Sequence, residues 1–456
     1  MSQILLSNAL ILSMNENREM FVNSDILITD DRITTIGAVD RCDIAPDAEV
    51  IDCTGSIIIP GLINTHVHLC QQLGRGLGDD VDLLTWLHDR TWPYELAMTE
   101  EDVEISALAC CAELIRSGVT CFAEPGGQHV DAMGRAVTKA GIRGILARST
   151  MDCGEGIPED RQESTDEALA IQLELIKRWN GAENDRIRCW FGLRTIFNNS
   201  DELIVRTKQL ADEHNVGIHM HVAEIKEEVE FAKKTRGATT VEHLANLGVL
   251  DSNFLAVHTV WLTENEISLF AKHNVKVSHN PGAAMRVLGF APVPEMLKQG
   301  ICVTIATDGA PCNNRMDMLD ELYLTALIHK GRTLDPTTVP AETILEMATV
   351  NGAKALLWED QIGSLSVGKK ADLAIINPAL MPGSVPVHDP VSSLIYSMHS
   401  TNVTHTMCDG KWLMKDKEIC TFDEKDLLKQ AQQHADSIRE RAGITLKPRF
   451  PVVQVR

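Results

Sequence analysis

Basic residues are few in this chain of 456 residues: lysine and arginine total 42, against 64 aspartates and glutamates, and the formal net charge is -22. A chain with this balance repels phosphate backbones and anionic lipid headgroups. We therefore expect neither a nucleic acid nor a membrane surface as its main partner. Hydrophobic residues still make up 44% of the chain, which is typical of a globular protein.

Long apolar runs are also lacking. A membrane-spanning helix needs roughly 18 consecutive apolar residues, and no such stretch occurs, so the sequence predicts no membrane span. The first 19 residues contain neither a cationic region nor a small-residue cleavage site. We interpret this segment as a strand rather than a signal peptide, and we expect a cytoplasmic protein.

Cysteine motifs are missing as well. Twelve cysteines are scattered between Cys42 and Cys420, and no C-x-x-C occurs among them. In a chain of this length the scatter indicates reduced thiols rather than the disulfide framework of a small secreted protein. It also excludes a cysteine-rich zinc site.

Short β-rich runs alternate with amphipathic, helix-like segments through the middle of the chain. The predicted strands are Ser56–His68, Val119–Glu124, Arg143–Thr150, Ile187–Thr195, Gly217–Ala223, Leu255–Val260, Lys276–His279 and Cys302–Asp308. Eight strands, each followed by a helical segment, are the pattern of an α/β protein with a (β/α)8 TIM-like barrel.

The two ends of the chain are rich in strands instead. We expect residues 1–56 and 358–456 to form one small β-sandwich domain, with a polar terminal helix over Asp423–Arg441, and residues 57–357 to form the barrel. The sequence shows no internal repeat beyond the β/α alternation and no low-complexity linker.

Histidines and an aspartate stand at the predicted strand ends, where barrels of this type carry their chemistry. His66 and His68 are two residues apart on strand one, so both imidazoles lie on one face and can reach one cation. His258 ends strand six and Asp308 ends strand eight. Taken alone, each has a simpler interpretation, because a single strand-end histidine is often structural and Asp-Gly is often a turn.

Strand five adds His219, His221 and Glu224, and strand geometry alone does not decide which histidine faces a metal. Three imidazoles and one carboxylate suit one divalent ion, for which Zn²⁺ is our prediction and Fe²⁺ the alternative. Such an ion lowers the pKa of a bound water to about 7. Glu224 can then handle that water's proton, while His258 and Asp308 orient the attack and stabilise charge. Glu224 has a second interpretation, as an N-terminal residue of the following helix.

Several segments resemble signatures of the amidohydrolase superfamily, in the branch that contains S-adenosylhomocysteine and methylthioadenosine deaminases, guanine deaminase and triazine chlorohydrolases. The segments are PGLINTHVHL (60–69), HVAE (221–224), AVHTVW (256–261), SHNP (278–281), ATDGAPCNN (306–314), MATVNGAKAL (347–356) and IGSLSVGKKADLAII (362–376). The resemblance extends over nearly the whole chain and implies a metal-dependent hydrolase on the barrel and sandwich described above.

The resemblance also implies roles for individual residues. Its H-x-x-E spacing selects His221 rather than His219 as the ligand from strand five. The resemblance makes Glu224 the proton shuttle and His258 the activating imidazole. The implied metal ligands are His66, His68, His221 and Asp308. No lysine ends strand four, where binuclear relatives have a carboxylated one, so a single metal is implied.

Two residues are candidates for binding a substrate. The segment LLTWLHDRTWPYE (83–95) resembles the loop with which adenosine-type deaminases hold a ribose through a glutamate, here Glu95. Strand four of those enzymes usually ends in a histidine, whereas FGLRTIFNN (191–199) has Arg194 there. A guanidinium suits a ring carbonyl or an anionic ring nitrogen, as in an oxidised purine, a pterin or a pyrimidine-like ring. The alternative is a structural or solvated arginine.

The predicted function is hydrolytic deamination of an amino-substituted nitrogen heteroaromatic ring, with water as co-substrate and ammonia as product. One alternative is hydrolytic dechlorination of a chloro-s-triazine, which needs the same metal and the same attack but releases a halide. Another is a non-catalytic assembly protein on this barrel, against which the intact set of polar strand ends argues. The resemblance further implies a homo-oligomer.

Overall fold

The protein is seen here in a computed structural model that describes residues 2–81, 83–154, 162–446 and 450–453. The strands within these ranges are β1 (Gln3–Leu12), β2 (Met20–Thr29), β3 (Arg32–Gly37), β4 (Glu49–Asp52), β5 (Ile57–Pro60), β6 (Leu62–Asn64), β7 (Val119–Ala123), β8 (Arg143–Leu146), β9 (Ser149–Thr150), β10 (Ile187–Cys189), β11 (Phe191–Leu193), β12 (Ile218–Val222), β13 (Phe254–His258), β14 (Lys276–His279), β15 (Val303–Ile305), β16 (Leu373–Ile376), β17 (Val403–Cys408), β18 (Lys411–Lys415) and β19 (Glu418–Ile419).

The α-helices in the same ranges are α1 (Leu83–Trp86), α2 (Trp92–Leu96), α3 (Glu100–Arg116), α4 (Val130–Ala140), α5 (Thr165–Trp179), α6 (Ala182–Asp185), α7 (Asp201–His214), α8 (Lys226–Arg236), α9 (Thr240–Asn246), α10 (Glu264–His273), α11 (Pro281–Ala283), α12 (Val293–Lys298), α13 (Ala310–Asn313), α14 (Met318–Thr333), α15 (Ala341–Met347), α16 (Val350–Ala355), α17 (Pro390–Ser397) and α18 (Glu424–Arg441). Capping boxes begin α3, α5, α9 and α10, in each of which a serine or threonine pairs with an acid three residues later.

Parallel strands from β6 to β15 form the barrel. One sheet has the order β10-β8-β7-β6 and the other β15-β14-β13-β12-β11-β9. The third and fourth strands each bend, so β8 and β10 pair in the first sheet while β9 and β11 pair in the second. The N–H of Thr65, just after β6, donates to the carbonyl of Ile305 in β15 at 3.4 Å and joins the first strand to the last. The predicted barrel is confirmed.

A separate nine-stranded sheet is built from both ends of the chain, which is also as predicted. Its order is β19-β18-β17-β16-β5-β1-β2-β3, with β4 paired to β1. It has its own apolar core, in which Leu6, Ile26 and Ile33 from the N-terminal part pack with Leu373 and Met407 from the C-terminal part. Neither end can therefore bury its apolar face without the other.

The run Ser56–His68 was predicted as one strand, and the structure divides it. β5 lies in the terminal sheet and β6 in the barrel, with Gly61 between them. The N–H of Gly61 donates to the carbonyl of Asp372 at 3.0 Å. A Cβ on Gly61 would lie 2.0 Å from Oγ1 of Thr120, so only glycine allows the chain to pass this point. The terminal sheet thus includes four residues beyond position 56.

A buried ion-pair network joins the barrel to the terminal sheet. Arg143 of β8 contacts Asp372 through two hydrogen bonds of 2.9 and 3.1 Å, and its Nη2 lies 3.4 Å from Asp409. Removing one partner of such a network leaves a buried charge uncompensated, which costs about 3–5 kcal/mol.

All twelve cysteines are free thiols, as predicted. None of the described helices is both long and apolar enough to cross a membrane.

Candidate metal centre and catalytic site

His66 and His68 follow β6 and meet Asp308, which follows β15. Nε2 of His66 lies 3.3 Å from Oδ1 of Asp308, and Nε2 of His68 lies 3.5 Å from the same oxygen. His66 is fully buried. The first and last strands are neighbours in the closed barrel, which explains why His66 and His68 contact a residue 242 and 240 positions later in the sequence.

The two histidines of β12 have different surroundings. His66, His221 and His258 each place one ligand nitrogen within 4.8 Å of the others, and ligand atoms of His66, His68 and Asp308 lie equally close together. These five residues form the cluster. His219 instead places its Nε2 2.9 Å from Nδ1 of His66, and neither group of candidate ligand atoms among the described residues includes it. All four residues implied as ligands are therefore together, as is His258.

The donor atoms of this cluster fit a divalent metal ion. Nε2 of His66 is buried and, among the described residues, makes no hydrogen bond of good geometry, although Oδ1 of Asp308 lies 3.3 Å away. A buried polar atom in this state is available to bind a ligand. Imidazole nitrogens and a carboxylate oxygen form the donor set that suits Zn²⁺ or Fe²⁺, and no thiolate is required. The cluster is a candidate site for a divalent metal.

The electrostatics of the cluster favour metal binding. Burial lowers the pKa of His66, His68 and His221, so these rings stay neutral and keep a lone pair for a metal. Burial alone would raise the pKa of the Asp308 carboxyl, but the surrounding imidazoles, that of His66 above all, outweigh it and lower the pKa. Asp308 is therefore ionised.

Glu224 lies outside the helix that follows it, because α8 begins only at Lys226. Its Oε1 is 3.7 Å from Nε2 of His258, which is itself 3.9 Å from Oδ2 of Asp308. Burial, together with the charge of Asp308, raises the pKa of the Glu224 carboxyl to about 7. A carboxyl group with this pKa can both accept and donate a proton near neutral pH.

Four residues at these strand ends have left-handed backbone conformations although none is glycine. The φ angles are +50° at Ala223, +70° at His258, +51° at Thr259 and +64° at Asp308. Such conformations carry a cost for residues with a Cβ and concentrate at functional sites. Here they turn the chain sharply at the end of each strand, where the candidate site lies.

Two buried carboxylates next to the site were not among the residues predicted from the sequence. Glu124, after β7, accepts the N–H of Leu69, next to His68, at 2.5 Å. Glu228, in the first turn of α8, accepts the N–H of Glu224 at 2.9 Å. Burial raises the pKa of Glu124 to about 8 and that of Glu228 to about 7. A glutamate four residues after the H-x-x-E glutamate was the available signal for Glu228, but the pattern is equally typical of an exposed helix surface.

A cavity of about 660 Å³ opens beside the cluster, which is large enough for a small organic substrate. Its wall includes His68, His221, Glu224, His258 and Asp308, together with the aromatic side chains of Trp86, Trp92, Phe197 and Phe231. Apolar and aromatic walls around a few polar groups are typical of sites for small molecules.

Glu95 and Arg194, the two candidates for substrate binding, meet in a smaller recess next to this cavity. Arg194 and Trp92 line both spaces, whereas Glu95 lines the recess and accepts a hydrogen bond from Nε2 of Gln71 at 2.7 Å. The backbone carbonyl of Arg194 lies 2.9 Å from Nδ1 of His221. Because Arg194 lines both spaces, its guanidinium is placed to meet a molecule in the cavity.

Known proteins with the same fold include zinc enzymes. A solved structure of an adenosine deaminase from Xanthomonas campestris with bound zinc superposes with a TM-score of 0.90 at 28% identity, and the match covers 96% of this chain and 99% of that one. Agreement over both whole chains extends the likeness to the barrel and the terminal sheet together.

Curated relatives are also similar from end to end. A 5'-deoxyadenosine deaminase of Methanobrevibacter smithii is 37% identical over 442 residues, which is 96% of this chain and 98% of the relative. A 5-methylthioadenosine/S-adenosylhomocysteine deaminase of Thermoanaerobacter pseudethanolicus is 36% identical over 439 residues, which is 96% of this chain and 100% of the relative. The family model described as "Amidohydrolase family" matches residues 57–413. As its strand-end motifs predict, the chain belongs to the amidohydrolase family.

Proposed function

We propose that this protein hydrolyses the bond between a nitrogen heteroaromatic ring and an exocyclic amino group. Water adds to the ring carbon, the amino group leaves as ammonia, and the ring keeps the oxygen. The observation that carries the proposal is the position of Glu224, 3.7 Å from His258 and on the wall of the cavity. Three of the four candidate metal ligands, His68, His221 and Asp308, line the same cavity. Relatives named as deaminases of adenosine-type compounds support the same reaction class.

The proposed cofactor is a single Zn²⁺ ion, with Fe²⁺ as the alternative. The proposed ligands are His66, His68, His221 and Asp308, whose nitrogen and oxygen atoms fit such an ion. When bound, the metal supplies Lewis acidity and lowers the pKa of a water molecule to about 7. The zinc in the solved adenosine deaminase supports the choice of metal.

The protein's own residues move the protons. Glu224 takes one proton from the attacking water and delivers it to the ring nitrogen. It then carries the second proton, from the newly added hydroxyl, to the amino group, which leaves as ammonia as the C–N bond breaks and the carbonyl forms. His258 lies between Glu224 and Asp308, so its Nε2 can orient the attack and stabilise the negative charge that develops on oxygen. The ionised Asp308 can accept a hydrogen bond from the attacking water and so help to orient it, which completes the proposed catalytic set.

Glu95 and Arg194 are the proposed substrate-binding residues. A guanidinium offers hydrogen-bond donors only and stays charged at neutral pH, so Arg194 selects a ring edge with a carbonyl or an ionised nitrogen. Glu95 accepts hydrogen bonds and suits a hydroxyl or N–H of the substrate. The recess that both line lies next to the cavity, so a substrate can contact them while its reacting carbon faces Glu224.

An ammonia-release screen tests the proposal. Purified enzyme loaded with Zn²⁺ is assayed with 5'-deoxyadenosine, S-adenosylhomocysteine, oxo-purines, pterins, amino-pyrimidines and amino- and chloro-triazines, and both ammonia and chloride are measured. Ammonia from at least one amino heterocycle is the expected result. Chloride release without ammonia would establish the dechlorinase instead, and metal-loaded protein inactive on every compound would favour an assembly protein.

A further inference from the structure

Glu228 holds the backbone that carries Glu224. Its side chain is almost fully buried, at 1% exposure of the residue. Oε1 accepts the N–H of Ala223 at 2.8 Å and Oε2 accepts the N–H of Glu224 at 2.9 Å. Both oxygens of one carboxylate therefore bind two successive peptide groups, the second of which belongs to the proposed proton shuttle.

The peptide held in this way has an unfavourable conformation. Ala223 has a φ of +50°, which costs free energy for any residue with a Cβ. Its carbonyl accepts the N–H groups of Val260 and Trp261 at 3.0 and 2.9 Å. The turn after β12 is thus fixed on one side by Glu228 and on the other by the segment that follows His258.

We propose that Glu228 is a positioning residue for proton transfer, one that sets the direction in which the Glu224 side chain enters the cavity. The inference rests on the proposed function, in which Glu224 moves the protons. Glu228 is the second residue after Lys226, which begins α8, so the helix anchors the carboxylate and the carboxylate fixes the turn. A displacement of about 1 Å at a reacting group can cost about 10²-fold in rate, so a small change in this turn affects turnover.

A purely structural role predicts a different outcome, and Glu321 provides the comparison. It is fully buried on α14 and likewise accepts two hydrogen bonds, from the N–H of Gly282 at 2.9 Å and from Nδ2 of Asn313 at 2.8 Å. None of its hydrogen bonds involves Glu224 or Ala223. Replacing Glu321 therefore reproduces the loss of a buried carboxylate without releasing the turn after β12.

The test is a double-mutant cycle on the metal-loaded enzyme, with 5'-deoxyadenosine and the best substrate of the screen as probes. Glu228→Gln keeps the size but turns an amide N–H₂ toward a backbone donor. We expect kcat to fall about 10²-fold while KM and metal content stay as in the wild type. In a Glu224→Gln background, assayed at enzyme concentrations that still detect its turnover, Glu228→Gln should cost nothing further.

Controls separate positioning from stability. Glu321→Gln should lower kcat by the same factor, whatever its size, in both backgrounds. Glu230→Gln, at an exposed residue of the same helix, should leave activity unchanged. If Glu228→Gln does not fold, Glu228→Asp retains the charge, withdraws it by one methylene group and enters the same cycle.

An equal loss for the Glu228 variant in both backgrounds, or a fall in metal content that accounts for the loss, would overturn the inference and leave the proposed function intact. An active wild type with an unimpaired Glu224→Gln variant would instead remove the proposed role of Glu224, and the inference with it.

Discussion

Nε2 of His219 lies 2.9 Å from Nδ1 of His66. His219 is not one of the candidate metal ligands, but it contacts the ring of His66, which is one. For Nε2 of His66 to bind a metal, its proton must sit on Nδ1, and His219 is placed to accept that proton. The H-M-H sequence of β12 thus supplies one proposed ligand, His221, and one partner of a ligand.

His66→Ala should abolish most metal binding, because this ring belongs to both groups of candidate ligand atoms. Bound zinc or iron, measured by elemental analysis of the purified variant, should fall sharply while circular dichroism shows most of the fold retained. His214→Ala, at an exposed position on α7, is the control and should retain the metal of the wild type. Full occupancy in the His66 variant would refute the proposed centre.

His219→Ala should weaken metal binding without abolishing it. Removing the hydrogen-bond partner of a ligand typically costs 10- to 100-fold in metal affinity, whereas His221→Ala removes a ligand itself. Competition with a metal chelator measures both affinities. The reverse order, with the His219 variant metal-free and the His221 variant occupied, would show that the H-x-x-E spacing selects the wrong histidine.

Glu224→Gln should keep the metal and lose turnover. The amide has the size of the carboxyl group but cannot accept the proton from water, and general acid–base catalysis contributes about 10²–10⁴-fold. Metal analysis and kcat on the same preparation check both halves. A kcat near that of the wild type would show that Glu224 does not transfer protons and only precedes α8.

Arg194→Met should raise KM for a substrate that carries a carbonyl or an ionised nitrogen on its ring. A charge-assisted hydrogen bond is worth about 1.5–3 kcal/mol, which corresponds to a KM roughly 10- to 150-fold higher. Oxo-purines, pterins or pyrimidine-like rings should accordingly be better substrates than 5'-deoxyadenosine. Efficient turnover of S-adenosylhomocysteine, or an unchanged KM in the variant, would make Arg194 structural.

His329→Gln should alter how stability depends on pH. Burial lowers the pKa of His329 to about 4, and its Nε2 lies 3.2 Å from Nε2 of His279. Between pH 6.5 and 4 the unfolded chain binds a proton at this residue and the folded chain does not, so the wild type loses stability as pH falls through this window. Relative to neutral pH, the free energy of unfolding falls by roughly 3 kcal/mol at pH 4 through this residue, and it does not change through it above pH 6.5.

Thermal unfolding from pH 7 to pH 4 measures this effect. The Tm of the wild type should fall more steeply with decreasing pH than that of the His329 variant. Parallel curves would mean that His329 is protonated in the folded protein within this range.

The polar residues at the strand ends could be predicted to meet, because few structures other than a metal site explain histidines with this spacing. His66 and His68 lie two residues apart on an apolar strand, and only a barrel of parallel strands brings them to His258 and Asp308. The division of Ser56–His68 could not be predicted, because the apolar side chains continue through Gly61 and only the close approach of Thr120 reveals the break.

Glu228 was missed for a different physical reason. In the sequence it belongs to a helix with many charged residues, where Glu227 and Glu230 are exposed and only Glu228 is buried. Burial of a single acid on such a helix depends on the direction of the preceding turn, which the left-handed conformation of Ala223 sets. A pattern of residue types contains no information on that angle.

The contact of Arg143 with Asp372 and Asp409 has a consequence for how the protein is made. A ribosome completes β8 of the barrel more than 200 residues before either aspartate has been synthesised. Until then the guanidinium lacks the carboxylates that compensate its charge when it is buried, and β5 also lacks its neighbour β16. We therefore expect nascent chains released before residue 409 to remain sensitive to protease throughout the barrel, and the barrel to become protected only when the C-terminal strands have emerged.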